Sequence, residues 1–268
     1  MRILLSLLCL VSINSYGVCE FKAEVDKVFS LSGSTTVLLK ELGLLKHSKL
    51  KGISVFNPIS AGEFSGKVYP GGIFLSRDSL TEFSGGLVFY DESRELTKIL
   101  NSMSTINSRE IRTRSLSPLQ AFDKALDEVS LYLKGCEDNA RMLREKFLGL
   151  EKQLLEKVPA GLPVIFYLGE LRGNRYPEMV IVNDGVVKWL KDKQRIKTYP
   201  STLAYVNWSS RMMQSLPKNT LHVGVKDSGN SGEKSVKRSS KKMTLIYPGA
   251  LVPGLSQLEA FLYWAQSL

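Results

Sequence analysis

The sequence predicts an α/β protein of two strand–helix lobes, each built on a parallel sheet, joined by a long backbone helix. Three observations predict it. Short apolar runs alternate with helical patterns over residues 18–116 and again over 159–268, which argues parallel sheets. Residues 117–158, between those blocks, carry one sustained helical stripe. At 268 residues, with 43% hydrophobic and 23% charged content, the chain is long enough for two lobes with their own cores.

The central stripe comes first because the lobes are arranged around it. Leu119, Phe122, Leu126, Val129, Leu133, Cys136, Ala140, Leu143, Phe147, Leu150, Leu154 and Val158 recur in steps of three and four, keeping one face apolar. Ser117 followed by Pro118 is an N-cap with proline at the first helical position, and Pro159 to Gly161 is a stop. A coiled coil wants a longer array with paired flanking charges. Gly135-Cys136-Glu137-Asp138-Asn139 reads as a break with acidic residues opening a second helix. Two helices follow, roughly 118–134 and 137–158, the second about 30 Å long and able to tie two lobes together.

The N-terminus has a different character. Met1-Arg2, an apolar run from Ile3 to Ile13, and Ser15-Tyr16-Gly17 have the order of a Sec signal peptide over 1–17. A lipoprotein signal fits less well, since Tyr16-Gly17-Val18 precedes Cys19. Export implies a periplasmic location and an oxidising compartment. Cleavage removes Cys9 and leaves Cys19 and Cys136, either paired or as two lone buried thiols. It also removes Arg2, so the formal charge falls from +10 to +9, a balance that favours anionic ligands or surfaces. No internal stretch approaches the roughly 20 apolar residues of a membrane span.

In the first block, Lys27 to Ser32 is a strand, Gly33 to Thr36 its turn, and Val37 to Leu42 a helix closed by Gly43. Lys51 to Phe56 is the next strand, followed by a polar, glycine-rich loop through Val68-Tyr69-Pro70-Gly71-Gly72. A short helix from Ser76 to Phe83, a buried strand Gly86 to Tyr90, a helix Asp91 to Met103 and an edge strand Glu110 to Thr113 complete the block. In the second, strands are expected at Pro163–Tyr167, Met179–Val182, Thr220–Val225 and Met243–Tyr247. Helices are expected at 185–192, 207–216 and from Leu255 to Leu268. Asp227 to Lys242, rich in Ser, Gly and Lys, reads as a solvated, mobile loop; without interleaved aromatics it is not a nucleic-acid patch.

The chemistry points to binding rather than catalysis. His47 and His222 are the only histidines, so a three-histidine metal site is impossible and neither zinc nor manganese is expected. No P-loop, dinucleotide fingerprint or nucleophile elbow occurs, and no nucleophile–base pair can be named. Gly33-Ser34-Thr35 is a helix-start turn, which offers backbone N–H groups to an anion or serves simply as a cap. Phe56, Tyr69, Phe74, Tyr90, Tyr167, Tyr205, Trp208 and Tyr247 fall near predicted strand ends. With Arg172 and Arg175 they suit a large, flat or anionic ligand, since ligands of parallel sheets sit beyond the strands' carboxyl ends.

Several stretches carry a family resemblance. Val28 to Thr36, continuing to Glu41-Leu42-Gly43, with Lys51-Gly52-Ile53-Ser54, Ser76 to Phe89, and Leu216-Pro217 before Thr220–Val225, resembles the class III periplasmic binding proteins. These serve ABC importers of cobalamin, ferric siderophores and haem. The resemblance implies a non-enzymatic, monomeric solute-binding protein without a resident cofactor, holding a ferric siderophore, haem or cobalamin between its lobes for an inner-membrane permease. The family's permease-docking acid in the first lobe falls on Asp78, while its counterpart in the second falls near Ser210-Arg211 and is lost. Gly85-Gly86 stands where the family has Pro-Asp. These departures leave an alternative, a binding-protein fold acting as a periplasmic interaction protein.

Overall fold

A computed structural model describes residues 19–55, 57–59, 62–69, 75–113, 116–171, 176–207, 209 and 214–268. The expected signal peptide lies outside these residues. Strand β1 (Glu20–Phe21) opens the described chain, held by a disulfide from Cys19 to Cys136, 117 positions away. The open question of the two cysteines is therefore answered by a bond.

The first lobe alternates as expected. It runs β2 (Val28–Ser30), α1 (Gly33–Glu41), β3 (Leu50–Ser54), β4 (Lys67–Tyr69), α2 (Arg77–Glu82), β5 (Leu87–Asp91), α3 (Arg94–Asn101) and β6 (Asn107–Ile111). The strands form one parallel sheet in the order β4-β3-β2-β5-β6. Several details correct the sequence reading: Asp91 ends β5 and α3 starts only at Arg94, and the edge strand is Asn107–Ile111 rather than Glu110–Thr113. Helix α1 begins at Gly33 rather than Val37, because the Ser32 hydroxyl accepts from the Thr35 amide and caps the earlier turn. Lys67–Tyr69, read as loop, is a strand, because its backbone pairs with β3 despite a polar setting.

The central segment is two helices, α4 (Pro118–Ser130) and α5 (Glu137–Lys157), separated by β7 (Leu133–Lys134), which pairs antiparallel with β1. A capping box between Ser117 and Gln120 starts α4, and Glu137 and Asp138 favour the N-terminus of α5 through its dipole. The stripe does what its spacing implies. Phe122 and Phe147 meet at 4.5 Å, and Leu143, Leu154 and Val158 are buried with them. Burying each large side chain contributes roughly 1.5–3 kcal/mol.

The second lobe contains β8 (Leu162–Leu168), β9 (Met179–Ile181), α6 (Gly185–Asp192), β10 (Ile196–Lys197), β11 (Tyr205–Asn207), β12 (Leu221–Asp227), β13 (Ser235–Ser239), β14 (Lys242–Tyr247) and α7 (Leu255–Ala265). Its sheet runs β11-β9-β8-β12-β14-β13, with β10 beside β8. In it β10, β8, β12 and β14 pair in parallel, while β9 runs antiparallel to β8, β11 antiparallel to β9 and β13 antiparallel to β14, so this sheet is mixed. Residues 169–178 are too few for the crossover a parallel neighbour needs, and β9 therefore turns back on β8.

The expected loop from Asp227 to Lys242 is likewise corrected. It holds a 3₁₀ turn at Gly229–Ser231 and the edge strand β13, joined to β14 through Ser240 in the left-handed region (φ 53°). Val236 packs on the core while Lys237 and Arg238 stay exposed, an arrangement that suits a charged edge. Half of the helix expected at 207–216, residues 208 and 210–213, lies outside the described residues, and Asn207 itself ends β11.

One hydrophobic core runs without a break from Val28 and Phe89 of the first sheet, through Phe122 and Phe147, to Phe166 and Leu245 of the second. The far face of each sheet has its own cluster: Phe29, Val88 and Tyr90 under α2 and α3, and Ile165, Tyr167, Val180 and Val182 under Leu171, Tyr176, Tyr199, Val206 and Leu216.

Candidate ligand cleft between the sheets

The carboxyl ends of both parallel sets point at the same space, a cleft of about 530 Å³. Gly33, Val55, Asn57 and Asp91 line it from the first lobe, and Asp227, Gly229 and Leu251 to Pro253 from the second. This is where ligands of parallel sheets bind, and its volume suits a drug-sized molecule.

Each wall is organised by a carboxylate at the end of a central strand. Asp91 closes β5 and accepts from the Ser32 hydroxyl at 2.6 Å and the Gly33 amide at 3.1 Å. The N-terminus of α1 is thus satisfied from within the lobe, and the helix-start turn acts as a cap. Asp227 closes β12, where its Oδ1 accepts from the amides of Gly229 (2.7 Å) and Gly249 (3.0 Å). That carboxylate fixes both loops of the second wall. Asn57 holds the loop after β3, accepting from the Ile59 amide at 2.9 Å and donating to the Ser54 carbonyl. Val55, 42% exposed, presents an apolar face to the cleft.

The lobes also touch beside the cleft. A Cβ on Gly249 (φ 72°) would fall 2.9 Å from Pro58 of the first lobe and 2.6 Å from Ser256 Cβ. A second, smaller opening of about 220 Å³ runs between α1 and α7, lined among others by Lys40, Lys234 and Tyr247.

The predicted aromatic set divides. Tyr69, Tyr90 and Tyr167 are closed into the lobes, with 1%, 2% and 0% of their surface exposed, and none lines the cleft. Tyr69 packs on Phe29 and Phe83 and donates to Glu82 at 2.5 Å; burial, then that bond, pushes its pKa well up. Tyr90 lies with Leu96 and Leu100 in the far-face cluster. Tyr167 shares a 2.7 Å hydrogen bond with His222 Nδ1 and stacks on its ring; burial pushes the tyrosine pKa up and the histidine pKa down. The reason is common to all three: both faces of these strands are covered, so a strand-end ring points into a core as readily as toward a ligand.

Tyr205 donates to the Asp184 carboxylate on the second lobe. Tyr247, 8% exposed, lies under Lys234, whose ammonium sits 4.8 Å from the ring centre, at the smaller interlobe opening. Phe56, Phe74, Arg172, Arg175 and Trp208 lie outside the described residues, as do Ser210 and Arg211. Asp78 is exposed on the first turn of α2, which starts at the cleft-bearing end of the first lobe.

Sequence reasoning missed Asp91, Asn57, Asp227 and Gly249. The signal was present in part, since an aspartate directly ends two of the apolar strand runs, Leu87–Asp91 and Leu221–Asp227.

No protein-family model and no curated protein matches the chain. Solved structures do. The periplasmic haem-binding protein HutB of Vibrio cholerae superposes with a TM-score of 0.63 at 18% identity, covering 91% of this chain and 97% of that one. The periplasmic vitamin B12-binding protein BtuF of the same organism gives 0.60 at 14% identity, covering 91% and 99%. A periplasmic binding protein from Veillonella parvula gives 0.63 at 11% identity, covering 94% and 98%. The chain has the two-lobed, helical-backbone fold of these proteins.

Proposed function

We propose that this chain, with the fold of periplasmic haem- and vitamin B12-binding proteins, is an exported solute-binding protein that captures an iron chelate or tetrapyrrole-like molecule between its lobes. It would then deliver the ligand to an ABC importer. The observation that carries the reading is the open cleft of about 530 Å³ at the carboxyl ends of both parallel strand sets, braced by Asp91 and Asp227. Binding without covalent chemistry agrees with the lack of a nucleophile–base pair in the sequence.

Export is supported by the charged and apolar order of residues 1–17 and by the Cys19–Cys136 bond, which persists in oxidising compartments. Among the described residues no helix is long and apolar enough to cross a membrane. Sequencing of the exported protein is expected to start near Val18, and a mature chain beginning at Met1 refutes export. Phe56, Phe74, Arg172, Arg175 and Trp208 remain our proposed ligand contacts, with the arginines facing anionic groups of the ligand. Asp78 is proposed to meet the permease.

The test is a fluorescence titration of the mature protein with ferric siderophores, haem and cobalamin. Binding of one class tighter than roughly 100 μM, about −5.5 kcal/mol, is expected. Replacing Arg172 and Arg175 by alanine should weaken it about ten-fold or more. If no ligand of the panel binds, the transport reading yields to an interaction protein. Binding that the arginine changes leave untouched keeps the function and rejects those contacts.

A further inference from the structure

The end of the second lobe opposite the cleft is strongly basic, and nothing in the solute-binding reading uses it. Its turns are brought together by the sheet register. Ile196 pairs with Leu162, Leu221 with Val164, His222 with Lys242, and Ser239 with Lys242. The residues that precede β8, β12 and β14, the short β10 with the residues before it, and the end of β13 therefore form one surface. They carry Lys157, Lys193, Lys197, Lys218, Arg238 and Lys241, all exposed. Two hydrogen bonds knit these turns: the Gly161 amide donates to the Gln194 carbonyl at 3.1 Å, and the Lys241 side-chain ammonium to the Lys218 carbonyl at 2.8 Å.

Among the described residues none of the six cations pairs with a carboxylate. The acidic side chains at this end include Glu156, Asp192 and the half-buried Glu151; Asp192 is taken by Lys188 at 2.7 Å, and Glu151 lies close enough to Lys193 to feel its charge. With strands about 4.8 Å apart, the strip across β10, β8, β12, β14 and β13 is about 20 Å wide.

We propose that this basic end is a docking surface for anionic phospholipid headgroups. Three features favour a membrane face over a macromolecular chain. Five of the six cations are lysines, compact point charges that suit a diffuse plane of phosphates better than bidentate recognition. They project from separate turns at the end of a lobe rather than along a groove that would seat an extended polyanion. The turns themselves carry no aromatic on which bases would stack, and the nearest ring, Tyr176, is half-buried under the Lys242 ammonium at 4.6 Å. A cluster of this size falls within the range that holds proteins to anionic membranes. The cleft lies at the other end of the same strands, and β12, seven residues long, separates the two by about 23 Å. A molecule docked by this end keeps its cleft open to solution.

The test is co-sedimentation of the mature chain with phosphatidylcholine vesicles, with and without phosphatidylglycerol, at about 0.05 M and 0.5 M salt. Binding is expected only with phosphatidylglycerol and only at low salt. The triple variant Lys197→Glu, Lys218→Glu, Lys241→Glu is expected to bind at least about a hundred-fold more weakly. Lys46→Glu, Lys51→Glu, Lys98→Glu makes the same change of charge on exposed lysines of the first lobe and is expected to bind as the wild type does. Glutamine versions of the first triple, with unchanged melting temperature, confirm that the loss is not misfolding. No wild-type binding at low salt overturns the proposal, as do equal losses in both triples, which would reflect net charge alone. Tighter binding to a single-stranded oligonucleotide than to the vesicles assigns the surface to nucleic acid and overturns it too. The cleft titration is independent of all these outcomes, so failure here leaves the solute-binding reading standing.

Discussion

Breaking the Cys19–Cys136 bond is the perturbation whose size follows most directly from the structure. The bond closes a loop of 117 residues that contains the whole first lobe and α4. A cross-link of that span removes chain entropy from the unfolded state worth about 4.9 kcal/mol at 25 °C in the loop-closure model. The native state retains little that would replace it, because β1 and β7 pair over only two residues each. Residual structure in the unfolded chain and relaxation of the native site reduce the effect, so a loss of about 3 kcal/mol is expected. For a chain of this length that corresponds to roughly 6–12 °C in melting temperature. The assay is thermal unfolding of the oxidised protein, the reduced protein, and the Cys19→Ser, Cys136→Ser double variant. The last two should melt together, well below the first. A reduced protein within about 2 °C of the oxidised one would show that the loop is not free in the unfolded state, and the entropy argument would fail.

Two further predictions rest on single contacts. Gly249→Ala places a methyl group 2.9 Å from Pro58 and 2.6 Å from Ser256 at a φ of 72°, so it should cost about 1–3 kcal/mol and weaken ligand capture. Adding Pro58→Gly should restore part of the binding but not the strain at Gly249, and no recovery would mean that the lobe contact is irrelevant to the cleft. His222 is half-buried against Tyr167 and Tyr176 and lies near Lys242 and Lys241; its partial burial first, then those cations, holds its pKa below the ordinary value. The unfolded chain therefore takes the proton first, near pH 6.5. The contribution is complete above that pH and is lost as pH falls toward the folded value, at no more than about 1.4 kcal/mol per pH unit. Urea unfolding between pH 7.5 and 5.5 should show the decline, partly remaining through His47, whose pKa is lowered in the same direction; His222→Asn should flatten it.

What was legible in the sequence was local. The start of α4 is written in Ser117, Pro118 and Gln120, and the length of α5 in its own stripe, so both could be placed without the rest of the fold. Two of the missed strands, Lys67–Tyr69 and Ser235–Ser239, are edges. An edge pairs on one side only and keeps polar residues on the other, so its composition resembles a loop. The aromatic site was over-read for a different reason. Tyr90 and Tyr167 sit at strand ends as predicted, but in sheets covered on both faces that position does not distinguish core from cleft. Asp91 and Asp227 were overlooked because their roles come from distant partners, Ser32 and Gly249, that no local pattern links to them.

The way the lobes are joined decides how such a cleft can work. A single core passes through α4 and α5 into both sheets, and Lys146 of α5 reaches Glu41 of the first lobe at 3.3 Å and Glu259 of the second at 3.0 Å. Those ion pairs are partly exposed and contribute little stability. The packed core is what resists rotation, since dense interiors do not deform continuously. Pro58 against Gly249 adds a contact beside the opening. Large hinge closure would have to break that core, so the volume between the sheets is already close to what a ligand meets. A pre-formed cleft spends little free energy on closure, and affinity then depends on the side chains presented at its rim. The two aspartates act before the ligand arrives: by holding the amides of Gly33, Gly229 and Gly249, they set the shape of both walls. Changing either should therefore alter the cleft through its loops even for a ligand that never touches a carboxylate.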